Sequence, residues 1–200
     1  MSITSSIGSG ARSLLRRLLQ LDKPVPQHTE EETAAFVERN YRWNFAVNLV
    51  DGSAFWFAMS FVGTTTIVPL FISKLTPSML PIAYVAILAQ AAWFLPQVFT
   101  SNWVERLPRR KPVVVNMGML LERFPVALFA VAALMAGRWA TLALAFFLLV
   151  YTWNRLGGGV VATAWQDLIA RCFPVKRRGR FLGTSTFVGT GLGTLGSAVS

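Results

Sequence analysis

The chain has 200 residues, 54% of them hydrophobic and only 14% charged, with a net charge of +10. A soluble domain carries about 25% charged residues, so this composition excludes an ordinary soluble enzyme, a disordered chain and a disulfide-stapled secreted domain. More than half of the charges fall in 30–42, 105–111 and 171–180, and the stretches between reach the ~20 apolar residues that cross a bilayer.

Residues 1–43 read as a polar, cytoplasmic N-terminal tail. Positions 2–9 are small and Ser/Gly-rich and read as disordered. The run Ser13-Leu-Leu-Arg-Arg-Leu-Leu-Gln-Leu21 sets Leu14, Leu15, Leu18 and Leu19 on one helical face beside Arg16 and Arg17. It reads either as a basic amphipathic turn for a membrane surface or as a floppy tail. Thr29-Glu-Glu-Glu32 is a capping box opening a short helix.

Residues 44–200 read as membrane-spanning. The first span is expected at 44–72, and Thr76, Pro77 and Pro81 break the chain before a second at 82–100. A basic loop, 105–111, precedes a third span at 113–136. The turn Gly137-Arg138 leads to a fourth at 139–164, a second basic loop at 167–180 and a fifth span from Phe181. The apolar run has no flanking charge at Ser200, so the fifth helix is expected to continue and the chain to be incomplete. The expected fold class is an all-α membrane protein with five transmembrane helices.

Eleven lysines and arginines flank the N-terminal side and the second and fourth connections, against Lys74 and Arg138 on the other side. The positive-inside rule then places the N-terminus and both basic loops in the cytoplasm of a multi-pass protein of the plasma (inner) membrane. The same placement assigns the basic charge to topology and membrane lipid rather than to nucleic acid. With one histidine (His28) and one cysteine (Cys172), no metal or haem cluster and no catalytic set is expected, so neither cofactor nor enzyme activity is called for.

A charge at the bilayer centre costs about 2.5–3.5 kcal/mol on the insertion scale, yet Asp51, Glu122, Arg123 and Arg155 all lie inside expected spans. At about 1.5 Å per residue, Asp51 lies about 10–12 Å from the start of the first span and Glu122 about 14 Å from the start of the third; Arg155 lies about 13 Å from the end of the fourth. Matching depth points to a shared polar interior in which acids and bases neutralise each other, with Asn48, Gln90 and Asn116 as polar neighbours. One reading is a water-accessible site for substrate or protons. The other is an ion-pair network that only fixes helix register. Trp43, Tyr41, Trp103, Trp139 and Trp165 fall near span ends, as an interfacial belt would. Gly157-Gly-Gly159 and the glycines of the fifth span read as close packing, with a flexing role as the alternative.

The loop Ser101-Asn-Trp-Val-Glu-Arg-Leu-Pro-Arg-Arg-Lys111 resembles the signature G-x-L-A-D-R-x-G-R-R-K between the second and third helices of the major facilitator superfamily. Glu105 stands at the acid, Arg106 at the first arginine, and Arg109, Arg110 and Lys111 at the basic run; Ser101 and Pro108 replace the glycines. Arg155-Leu-Gly-Gly-Gly159 is similar to the family's fourth-helix R-x-x-Q-G pattern, with Gly158 in place of glutamine. Pro174-Val-Lys-Arg-Arg-Gly179 resembles P-x-x-x-R-G. The fifth span matches the antiporter motif only at Gly189 and Gly193. The resemblance implies a facilitator-type helical bundle, here the first five helices of a twelve-helix transporter whose C-terminal half is the missing partner. It implies alternating access for an unspecified small-molecule substrate, a link of Arg155 to proton coupling and substrate response, and a cytoplasmic gating role for Glu105, Arg106, Arg109, Arg110 and Lys111; the shared depth of Asp51, Glu122 and Arg155 is what motivates proton coupling through all three. The rival expectation is a non-transporting membrane scaffold or assembly protein of the same fold, or a non-functional fragment.

Overall fold

The structure, a computed structural model, describes the backbone of residues 3–199 and the side chains of 10 and 12–196. Among the described residues it is all helical, 83% helix and without strands. The elements are α1 (Ile3–Leu19), α2 (Glu30–Arg39), α3 (Tyr41–Ser60), α4 (Ile67–Leu75), α5 (Leu80–Glu105), α6 (Phe124–Ala136), α7 (Ala140–Cys172) and α8 (Val175–Val199). Two π-helical turns, Val113–Met117 and Met119–Arg123, lead straight into α6. Three rods are long and apolar enough to cross a membrane: Leu80–Glu105, Val113–Ala136 and Ala140–Cys172.

Helix α7 is the hub. At 33 residues it is about 50 Å long, well beyond the ~30 Å of a bilayer's hydrocarbon. It packs against α5, against α6 with its π-helical lead-in, and against α4, while α3 pairs with α8. Its glycines explain the close approach. A Cβ at Gly157 would collide with the Leu121 carbonyl and lie 2.7 Å from the Leu121 Cβ; one at Gly159 would collide with the Ala92 carbonyl and lie 2.8 Å from Pro96 Cγ. Leu121 and Ala92 each stand four residues before a proline, Pro125 and Pro96. Proline carries no N–H, so neither carbonyl can take the i+4 hydrogen bond of a regular α-helix. The two glycines thus seat α7 closely against the backbone of two proline-containing segments.

Three apolar clusters run along this assembly. Val68 and Ile72 of α4, Val85 of α5, Phe129 and Ala132 of α6, and Phe147, Val150 and Tyr151 of α7 fill one end. At the basic end Leu19 of α1 packs with Val104, Leu107, Val113, Val114 and Ala164. Beside it Ile169, Phe173 and Phe181 join α7 to α8, with Phe45 of α3 against them. The Phe173 and Phe181 rings stack at 4.2 Å.

Four expectations change. The first apolar run is not one helix: it stops at Ser60 and resumes at Ile67. The break holds Gly63-Thr64-Thr65-Thr66, a glycine and three β-branched residues of poor helix propensity. The second basic loop is almost entirely helical, because α7 runs to Cys172 and α8 starts at Val175. Arg171 bonds Asp167 one turn back at 3.0 Å, and Arg178 donates to the Phe173 carbonyl at 3.2 Å and to that of Ala170, so basic side chains satisfy the end of α7. Likewise Ser101–Glu105 continues α5, and only 106–110 is loop. The N-terminal segment expected to be disordered is helical from Ile3, since extending a helix past an anchored turn is cheaper than nucleating one. Met1, Ser2 and Ser200 lie outside the described residues.

One local expectation holds in detail, and the structure adds a helix end that the sequence reading did not foresee. The Thr29 hydroxyl accepts the Glu32 N–H at 3.2 Å and the Thr29 N–H donates to the Glu32 carboxylate at 3.0 Å, a complete capping box on α2. Helix α1 ends in a Schellman turn, with Leu21 N–H on the Arg16 carbonyl and Gln20 N–H on that of Arg17, both at 3.1 Å. Gln20 takes φ of 52° there, a left-handed conformation usually left to glycine.

Candidate functional site

Asp51 on α3 and Arg123 at the end of the π-helical turns meet directly. One Arg123 nitrogen lies 2.7 and 2.8 Å from the two carboxylate oxygens. The Phe55 ring, one turn after Asp51, lies 6.0 Å from the guanidinium carbon. Asp51 keeps 56% of its side-chain surface and Arg123 31%, so the pair is open on one side.

Glu122 is next to Arg123 in sequence, and the π-helical turn carries it toward α7. Its backbone carbonyl accepts a bond from Asn154 at 2.9 Å. Its carboxylate faces Gly158, where an added Cβ would sit 3.3 Å from Oε1 and 3.8 Å from the Trp93 ring. Gly158 is therefore the residue that leaves room for the acid. The structure brings Asp51, Glu122 and Arg123 into one acidic–basic group, and the charges acting on Glu122 are Arg123 and Asp51.

Arg155 stands apart. A neighbouring helical residue is rotated by about 100°, so Asn154 faces Glu122 while Arg155 faces the break between α3 and α4. It donates to the Thr64 hydroxyl at 3.1 Å and stacks 4.9 Å over the Tyr151 ring. The Tyr151 hydroxyl in turn lies 3.4 Å from that of Thr64. Its Nε–H is out of solvent and donates to none of the described residues, and no carboxylate pairs with it among them.

The other polar residues singled out from the sequence lie outside both groups. Asn48 bonds the Asn44 carbonyl of its own helix at 2.8 Å. Gln90 is exposed on α5. Asn116 donates to the Leu18 carbonyl at 2.6 Å, so it holds α1 at the basic end. There Arg110 lies 2.9 Å from Asp167, with its Nε–H angled off the line, and donates to the Glu105 carbonyl at 2.9 Å. Arg109 donates to the Pro24 carbonyl, while Glu105, Arg106 and Lys111 are exposed. A cleft of about 420 Å³ opens between this loop, Gln20 and Arg171.

Sequence reasoning missed Asn154, Thr64, Tyr151 and Asp167. Asn154 adjoins Arg155 and carried the same signal, a polar side chain in an apolar run. Thr64 and Tyr151 carried none, because a threonine or tyrosine in a span is commonplace until a charge is known to touch it. Among the described residues no three histidines, cysteines or acids gather in one place. Compared with protein-family models, curated proteins and solved structures, the chain matches none of them.

Proposed function

We propose that this chain forms the N-terminal half-bundle of a transporter of the major facilitator type. In this reading α3–α4 and α8 join the three apolar rods as membrane spans, and the basic end faces the cytoplasm. The observation that carries the reading is the placement of Asp51 and Arg155 in the middle of α3 and α7 and of Glu122 and Arg123 in the middle of the apolar rod Val113–Ala136. Charges held at that depth are costly, and in membrane proteins they mark substrate and proton pathways. The open side of the Asp51–Arg123 pair suits a water-filled cavity, completed by the partner half of the molecule. The motif-like loop 101–111 adds support, since its bases hold α1 and α7 together at one end, as a conformational latch would.

Alternating access would then expose the Asp51–Glu122 group to one side at a time, with the acids carrying the coupled proton. The test is proton-linked flux in sealed vesicles containing the chain together with its partner half, read by a trapped pH-sensitive dye. Wild-type protein is expected to move protons with a solute. Asp51→Asn and Glu122→Gln are each expected to leave transport pH-independent or absent. The pairing of Asp51 with Arg123 favours a second reading, a scaffold whose charges only join α3 to its neighbours. That reading wins if no solute moves, and the proton-coupling assignment fails if both variants retain pH-dependent flux.

A further inference from the structure

Asp51 and Arg123 pair with each other, and Arg155 has nothing comparable. It sits in the middle of a 33-residue apolar helix with one hydroxyl, from Thr64, and one aromatic face, from Tyr151, as its partners. Neither group carries negative charge. A guanidinium is not deprotonated in a protein, so Arg155 cannot shed its cost by becoming neutral, as a buried acid can. Its Nε–H, the donor at the inner edge of the planar fork, is unused and out of solvent.

The surroundings are also unusual. Arg155 faces the one place where an apolar run of the chain breaks, between Ser60 and Ile67. Thr64 belongs to that break, and Thr66, which starts α4, makes no capping bond with its side chain. Interrupted apolar helices are tolerated where the irregular backbone lines a cavity or a ligand site. A charge without a counter-ion and a helix break therefore coincide at one point.

We infer that Arg155, with the Thr64 and Tyr151 hydroxyls, is an anion site that takes the carboxylate group of a small ligand. The planar fork of arginine matches a carboxylate in two parallel hydrogen bonds, and with the Tyr151 hydroxyl donating to Thr64 the Thr64 proton is left to donate to one of its oxygens. The ligand supplies the missing negative charge. This names a substrate class for the transport reading, small carboxylates, and it rests on that reading only for the movement of the ligand, not for its binding.

The experiment is thermal unfolding of the full chain in detergent, titrated with sodium acetate and sodium succinate against sodium chloride at matched ionic strength. Wild-type protein is expected to show a saturable rise in midpoint with the carboxylates beyond that with chloride. Arg155→Gln is expected to abolish it. Arg155→Lys, which keeps a cation but loses the fork, and Thr64→Val are each expected to weaken the apparent affinity about tenfold. The inference is overturned if carboxylates and chloride act alike on wild-type protein, or if the response survives Arg155→Gln. A response that instead disappears on joint Arg109→Gln and Arg171→Gln replacement would place the anion at the basic end and overturn it too. Arg155-dependent stabilisation without solute flux would reject transport alone; flux with no Arg155-dependent carboxylate response would reject this site alone.

Discussion

Glu32 closes the capping box of α2, and its acidity records the bond. The Thr29 N–H that it accepts, helped by nearby His28, holds its carboxyl below the ordinary value of 4.5. A group whose pKa is lower in the folded state contributes stability above its unfolded value and loses it as pH falls through the folded one. The amide-exchange protection factor of the first turn of α2 is therefore expected to hold near neutral pH and to fall below about pH 4.5. Glu32→Ala is expected to give the low protection at every pH, and Glu32→Gln to keep most of the protection without the pH dependence. Reading this box from sequence was possible because every partner lies within four residues. The same range explains why the start of α2 was legible and the partners of Arg155 were not.

At the scale of the element, helix α7 makes close contacts at two glycines that meet backbone carbonyls one turn before a proline. The glycines and prolines are all visible in the sequence, but their coincidence is not, because it depends on which helices are neighbours. Gly159→Ala is expected to destabilise the chain by about 1–3 kcal/mol through overpacking, since the obstacle is the Ala92 backbone and the Pro96 ring rather than a flexible side chain. Thermal unfolding in detergent measures this. A similar loss is expected at Gly157, against the Leu121 backbone, whereas Gly137→Ala, which meets nothing within 4 Å, is expected to be neutral. The broken first span belongs to this scale as well. Hydropathy averaged over 44–72 stays high through Val62, Ile67 and Val68, so a pattern of apolar residues cannot register a break made by four small and β-branched ones.

Across the whole molecule, α1 is the part whose docking decides most about the basic end. Leu19, 5% exposed, enters the cluster with Val104, Leu107, Val113, Val114 and Ala164, and Asn116 and Arg109 hold the Leu18 and Pro24 carbonyls. Leu14 and Leu15 remain exposed. Truncating a buried leucine costs about 2–5 kcal/mol, and here the loss falls mainly on the docking of one short helix. Leu19→Ala is expected to speed proteolysis between residues 20 and 29 several-fold while leaving the apolar rods protected. Equal cleavage of variant and wild type would show that α1 is not held this way. From sequence the leucines of this run read as a membrane-facing surface or a tail; the structure divides them, Leu19 inward and Leu14 and Leu15 outward.

By itself the sequence determined the quantities that add up along a chain: apolar length, helical class, the position of the basic clusters, and the presence of Asp51, Glu122, Arg123 and Arg155 within apolar runs. Those follow from transfer free energy and from local hydrogen bonding, which need no knowledge of neighbours. Only the tertiary structure decided how the four charges divide. Depth along a helix axis fixes one coordinate, while pairing depends on rotation about that axis, and a π-helical turn or a break changes the rotation of everything beyond it. Asp51 therefore meets Arg123, Glu122 turns to Gly158, and Arg155 is left facing Thr64 without a counter-charge.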